Sequence, residues 1–200
     1  KLRGSKMMMT KIEEKDYQES KWSGGTTTQL LIWPPESDYK TREFQFRISS
    51  ATIEEEHSVF TKLPGIYRYL SVLEGKLELT LEKNNKIHQE ILNPFDVFTF
   101  WGDQEVKSKG KVRDFNLMLQ QCKGKLEAIK MEERQVLHSA SGCFFLYLEQ
   151  GNVVVEKLDS EERPLELKAK ESFYEFTQEL RNYVITPTAE AKMMMAWIEI

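Results

Sequence analysis

The sequence predicts an all-β chain built as two similar antiparallel barrels, and three observations carry that prediction. Apolar and polar residues alternate with period two in many short segments: in "EFQFRISSATI", Phe44, Phe46 and Ile48 alternate with Gln45, Arg47 and Ser49. A helical period never persists for three turns. The segment "LEGKLELTLEKNNKIHQEILNPFDVFTF" also aligns without gaps on "EQGNVVVEKLDSEERPLELKAKESFYEF", with Gly75 on Gly151 and Phe100 on Phe176 (151 − 75 = 176 − 100 = 76).

Taken in order, "GGTTTQLLIWPP" opens on Gly24-Gly25, runs as a threonine-rich strand and stops where Pro34-Pro35 remove backbone donors. No lysine and no helix follow the glycines, so they form a turn or bulge and not a phosphate-binding loop. "IYRYLSVL" is a largely apolar strand that contains Arg68. "GKLELTLEKNNKIHQEIL" is a hairpin: Leu77, Leu79 and Leu81 mark one face, Asn84-Asn85 supply the turn, and Ile87 lies on the return strand. "DVFTFW" and "VRDFNLMLQ" complete the first copy. The polar, lysine-rich "QQCKGKLEAIKMEERQ" reads as a linker or long crossover, which divides the chain into 7–125 and 126–200. "CFFLYLE", "NVVVEKL", "PLELKA", "SFYEF", "NYVIT" and "MMMAWIEI" then repeat the series of short strands.

Composition narrows the function classes. With 200 residues and 40% hydrophobic content the chain can bury a sizeable core. The net charge of −4 comes with no basic stripe, so nucleic acid is not an expected partner. No apolar run reaches the roughly 20 residues that span a bilayer, so a membrane is not expected either. "KLRGSKMMMT" lacks the apolar stretch of a signal peptide, and Lys1–Lys6 read as vector-derived residues ahead of an initiator among Met7–Met9. Cys122 and Cys143 form no CxxC pair and read as free thiols, which fits a cytoplasmic protein.

The candidate site residues are few. His57 lies in "EEEHSVF", but Val59 stands where a His-x-His metal motif needs its second histidine. His88 falls on a polar hairpin face and His138 in a turn; no pair has ligand spacing, so neither a metal nor another cofactor is expected. No nucleophile elbow occurs, and neither cysteine has a histidine neighbour. Arginine remains. By strand alternation Arg68 shares a face with Leu70 and Val72, and Arg47 shares one with Ser49. Such an arginine is either salt-bridged or snorkelling, or it anchors a carboxylate through its planar fork. Asp114 and Asn116, two apart on one strand, either end a hydrogen-bonded ladder or present an acceptor and an amide to the same ligand. Tyr67, Tyr69, Trp101 and Phe115 are either core or the walls of a cavity.

Several of these segments, "GGTTTQLLIWPP", "FRISSATI", "HSVFTKLPGIYRYLSVLEGKLEL", "NPFDVFTFWGD" and "DFNLM", occur in an order that resembles the HutD/Ves family of bacterial proteins. The P-G-x-x-R-x-L-x-x-L-E-G run (Pro64 to Gly75) and D-F-N-x-M (Asp114 to Met118) are the most specific pieces, and the likeness is best over residues 17–120. Lys21-Trp22-Ser23 departs from the W-[KR]-N of many relatives, so an asparagine contact there does not transfer. The resemblance implies a cupin-type fold, here a two-barrel bicupin (RmlC-like jelly roll), and a regulatory or ligand-sensing role near histidine utilisation without established catalysis. The resulting expectation is a non-catalytic protein that binds a small acidic metabolite through Arg68, Arg47, Asp114, Asn116, His57 and Tyr69. A homodimer is compatible with its exposed strand edges. The alternative is a cupin-class enzyme, either a metal-free isomerase or epimerase, or a metal-dependent oxygenase.

Overall fold

The computed structural model describes residues 8–200; the reading of Lys1–Lys6 and Met7 lies outside them. The described residues form strands joined by tight turns, with two single-turn 3-10 helices and no α-helix. In chain order the strands are β1 (Thr10–Ile12), β2 (Gln18–Trp22), β3 (Gly25–Trp33), β4 (Phe46–Ile53), β5 (His57–Val59), β6 (Ile66–Glu74) and β7 (Leu77–Lys83). They continue with β8 (Lys86–Leu92), β9 (Val97–Trp101), β10 (Val106–Lys109), β11 (Val112–Gln120), β12 (Lys123–Met131) and β13 (Gln135–Ser139). The last six are β14 (Gly142–Gln150), β15 (Asn152–Lys157), β16 (Leu165–Lys168), β17 (Ser172–Thr177), β18 (Arg181–Pro187) and β19 (Ala191–Glu199).

Two compact units result. Tyr17–Cys122 holds a six-stranded sheet, β2-β3-β4-β11-β6-β9, and a four-stranded sheet, β5-β10-β7-β8. Lys123–Ile200, joined by the N-terminal stretch to Asp16, holds a five-stranded sheet, β1-β17-β14-β19-β12, and a four-stranded sheet, β13-β18-β15-β16. Every strand ladder is antiparallel. The strand orders superimpose: β4-β11-β6-β9 corresponds to β12-β19-β14-β17, and β5-β10-β7-β8 to β13-β18-β15-β16. β6 and β14 lie at the same offset of 76 that the sequence repeat shows (142 − 66 = 150 − 74 = 76).

Three readings are corrected by this architecture. The linker is instead β12, nine residues paired with β19 at the sheet edge. Its lysines mask it, because an edge strand carries charge on its open side. The chain divides at Cys122/Lys123, and residues 8–16 belong with the later unit because β1 pairs with β17. His138 lies on β13, not in a turn.

In the Tyr17–Cys122 unit the two sheets share one core. Ile53, Leu70, Val72, Phe100 and Val112 from the larger sheet pack with Leu77, Leu79, Leu81, Leu92 and Val106 from the smaller. A second cluster, Ile32, Phe44, Leu63, Ile66 and Met118, continues the same face of the larger sheet. The opening Gly24-Gly25 turns the chain into β3, as expected. A side chain on Gly25 would strike the Thr52 carbonyl oxygen of β4, and its φ is +155°. Gly25→Ala should therefore cost about 3 kcal/mol, read as a lower urea midpoint at unchanged slope.

Candidate functional site

Four of the six expected residues meet on one face of the six-stranded sheet. Strand register places them: Met118 of β11 lies between Arg47 of β4 and Arg68 of β6. The row extends to Ile32 on β3 and to Phe100 on β9. The next rows carry Gln29, Ser49, Asn116 and Leu70, then Asp114 beside Val72. This is the face that meets the smaller sheet, so a polar patch sits against the core between its two apolar clusters.

Arg68 is only 8% exposed. Its Nη1 donates to the Thr61 carbonyl at 3.2 Å, and its guanidinium lies 4.9 Å from the Phe100 ring and 5.5 Å from the Phe60 ring. Nε is buried without a partner. Arg47 is equally enclosed: its Nε donates to Gln29 Oε1 at 2.8 Å, and its guanidinium stacks 3.9 Å from the Tyr39 ring. Arg42 stacks on the same ring at 3.9 Å, so Tyr39, in the short helix Tyr39–Thr41, is held between two cations. Among the described residues, neither Arg47 nor Arg68 has a carboxylate within ion-pair distance. Burial lowers the pKa of both guanidinium groups, yet arginine remains charged at neutral pH.

Asp114 is buried, and its Oδ1 accepts from the Ala51 amide at 2.9 Å and from Asn116 Nδ2 at 2.7 Å. Burial outweighs these bonds and the nearby Arg68 charge, and raises its pKa to about 7. The folded protein thus keeps a proton on Asp114 that the unfolded chain releases near pH 4. The stability from this proton is complete below pH 4 and disappears as pH rises to about 7. Over roughly 3 pH units that amounts to about 4 kcal/mol. Asp114→Asn accepts the same two hydrogen bonds and cannot ionise. The variant should gain on wild type by a few kcal/mol between pH 4 and 7.5 in parallel urea unfolding series.

The other two residues are not brought to this face. His57 is exposed on edge strand β5 of the smaller sheet, opposite Lys109. Tyr69 points to the opposite face of β6, as parity next to Arg68 requires. It packs edge-on against Tyr67, whose other neighbour, Trp101, is 55% exposed. Of the two readings of Tyr67, Tyr69, Trp101 and Phe115, the cavity wall does not hold: all four lie on the face opposite Arg68, and Phe115 is buried core there. Phe60 and Phe100 lie beside Arg68 in their place, with Gln29 and Tyr39 beside Arg47. Phe100 was within reach of parity on "DVFTFW"; Tyr39 and Phe60 lie in irregular segments where alternation gives no signal.

His57, His88 and His138 lie on β5, β8 and β13, all exposed. Among the described residues no three His, Cys, Asp or Glu side chains are placed to hold a metal ion. Cys122 and Cys143 are free thiols. No helix of the described residues is long and apolar enough to cross a membrane.

Comparison with solved structures shows a cupin-like fold. A conserved protein of unknown function from Pseudomonas aeruginosa PAO1 superimposes with a TM-score of 0.82 at 22% identity, covering 96% of this chain and 98% of that one. HutD from Pseudomonas fluorescens SBW25 gives 0.72 at 20% identity, covering 96% and 100%. Oxalate decarboxylase from Bacillus subtilis gives 0.69 at 8% identity, covering 97% and 78%. A search of curated proteins finds no match. The HutD family model matches residues 14–193, and on that match, which includes the whole polar face around Arg68, the chain belongs to the HutD family.

Proposed function

We propose that this protein is a non-catalytic, cytoplasmic bicupin of bacterial origin. It binds a small carboxylate metabolite on the inner face of the six-stranded sheet, without a metal or cofactor, and acts as a regulator in histidine or amino-acid utilisation. The observation that carries the reading is Arg68: a buried guanidinium with one protein hydrogen bond, an unpartnered Nε and, among the described residues, no carboxylate within ion-pair distance. A buried charge without a counter-ion is costly, and a carboxylate would supply both the charge and the missing acceptors. Arg47 adds a second buried cation on the same row. Below about pH 7 Asp114 is mostly protonated, and there it imposes no repulsion on a bound acid.

The repeat supports placing the ligand in this unit alone. Arg68 corresponds to Phe144, which stacks on Tyr183 at 4.4 Å (68 + 76 = 144). Asn116 pairs with Leu70 as Met195 pairs with Leu146, so methionine replaces the amide in the second copy. The HutD structure from Pseudomonas fluorescens was obtained in a formate condition, and an oxalate decarboxylase from Lactobacillus farciminis is a formate complex. Formate is therefore the smallest probe to try, followed by dicarboxylic and N-acylated amino acids.

Thermal unfolding with these acids and with their neutral amides tests the reading. A ligand at about 100 times its Kd should add about 2.7 kcal/mol, a rise of roughly 5–10 °C in Tm, while the amide does nothing. If amide and acid act alike, or no carboxylate raises Tm, the proposal fails.

A further inference from the structure

We propose that β8 is a self-association edge: two copies join their β8 strands antiparallel about Gln89, fusing two four-stranded sheets into one of eight strands. Three independent features of Lys86–Leu92 meet there.

The first is the open edge. β8 ends the order β5-β10-β7-β8, so among the described residues its far side pairs with nothing. It carries no proline or bulge to protect it, and its charged side chains, Lys86 and Glu90, lie on the face opposite Ile87 and Ile91. The second is the phase of the backbone. Asn84 and Asn85 both have positive φ, 53° and 57°, as a two-residue type I′ turn requires, and Lys83 pairs with Lys86 across it. The pair flanking such a turn is hydrogen-bonded, and bonding alternates along the hairpin. Lys86, His88, Glu90 and Leu92 therefore bond to β7, while the N–H and C=O groups of Ile87, Gln89 and Ile91 point outward.

The third feature is side-chain symmetry. The strand reads K-I-H-Q-E-I-L, and a two-fold axis at Gln89 sets Ile87 against the partner copy's Ile91 and His88 against its Glu90. The axis falls on an outward-pointing residue, so the three pairs 87–91, 89–89 and 91–87 each exchange two backbone hydrogen bonds. On the solvent face, Ile87 and Ile91, 74% and 53% exposed, would cover each other on both sides of the axis. On the other face, each histidine would meet a carboxylate directly across the pair. Moving the axis to His88 keeps only two bonded pairs within the strand, 87–89 and 89–87, and sets Lys86 against Glu90 but Ile87 against Gln89; moving it to Glu90 sets that carboxylate against itself; an axis between two residues loses the bonds.

The test is sedimentation velocity of the whole chain across roughly 10–500 µM, the range in which so small an interface dissociates. Wild type should move from 23.5 kDa toward twice that mass. His88→Glu sets carboxylate against carboxylate twice and should weaken the dimer at least about tenfold. The swap His88→Glu with Glu90→His should restore it. Gln89→Pro, which removes an outward N–H and spares the bonds to β7, should leave a folded monomer. Wild type that stays at 23.5 kDa at the highest concentration overturns the proposal. So does a dimer indifferent to His88→Glu and Gln89→Pro, or a swap that fails to restore association.

Discussion

Arg68→Met is expected to make the ligand-free protein more stable and to abolish its response to carboxylates. In the folded state the guanidinium has one carbonyl acceptor at 3.2 Å, two phenyl rings at 4.9 and 5.5 Å, and an unsatisfied Nε. Cation–π contacts return about 2 kcal/mol when desolvated, and a charged hydrogen bond about 1.5–3 kcal/mol. Desolvating an ion costs several kcal/mol, and among the described residues no carboxylate within ion-pair distance offsets it. Methionine fills a similar volume between Ile66, Leu70 and Phe100 without that cost. The gain should be about 1–3 kcal/mol, read as a rise of roughly 3–10 °C in Tm. Losing the fork should weaken carboxylate binding by roughly 100- to 1,000-fold in titration calorimetry. Arg68→Lys keeps the charge but not the bidentate geometry and should fall between the two. A destabilised Arg68→Met that still binds would show that Arg68 serves the fold.

How much of this could be read from the sequence depended on alternation. Where strands alternate regularly, parity placed Arg68 with Leu70 and Val72, and Asp114 with Asn116, on faces the structure confirms. The same parity excluded Tyr69 and Trp101, whose neighbours Arg68 and Phe100 are the ones facing inward; aromatic character concealed that exclusion. The repeat carried further than its aligned stretch, since its offset of 76 also relates β6 to β14. β12 was hidden because an edge strand half open to water has the composition of a linker. The pairing of β1 with β17 and the stacking of Tyr39 between two arginines join residues distant in sequence or held in irregular backbone. Neither has a periodic signal. The buried state of Arg47 and Arg68 was beyond composition as well, because burial of a charge depends on what the second sheet covers.

The later unit contains a buried cation of the opposite kind, and its removal should have the opposite sign. Lys157 Nζ lies 2.6 Å from Glu175 Oε1 and 2.5 Å from Glu162 Oε2. Glu175, 0% exposed, also accepts from the Tyr183 hydroxyl at 2.6 Å, and Glu162 accepts from the Met9 amide at 2.8 Å. Both oxygens of the buried carboxylate and the ammonium are thus satisfied within the unit. Lys157→Met leaves the buried Glu175 carboxyl without its cation and with a single donor, and should cost about 3–5 kcal/mol in urea unfolding. Adding Glu175→Gln removes the stranded charge and keeps an acceptor for Tyr183, so the double variant should recover most of the loss. A single variant costing under about 1 kcal/mol, or a double variant no better than the single, would mean that the pair does not share its charges as drawn. The contrast separates two uses of buried charge in one repeated architecture. A cation whose counter-ion is built in stabilises the unit that encloses it, and its removal exposes the cost of the partner left behind. On the proposed reading, the cation whose counter-ion comes from solution is a standing cost to the empty protein, recovered when the ligand arrives. Opposite signs for Lys157→Met and Arg68→Met, measured in the same buffer, would show that the Arg68 cation is a net cost to the ligand-free protein while the Lys157 cation is not.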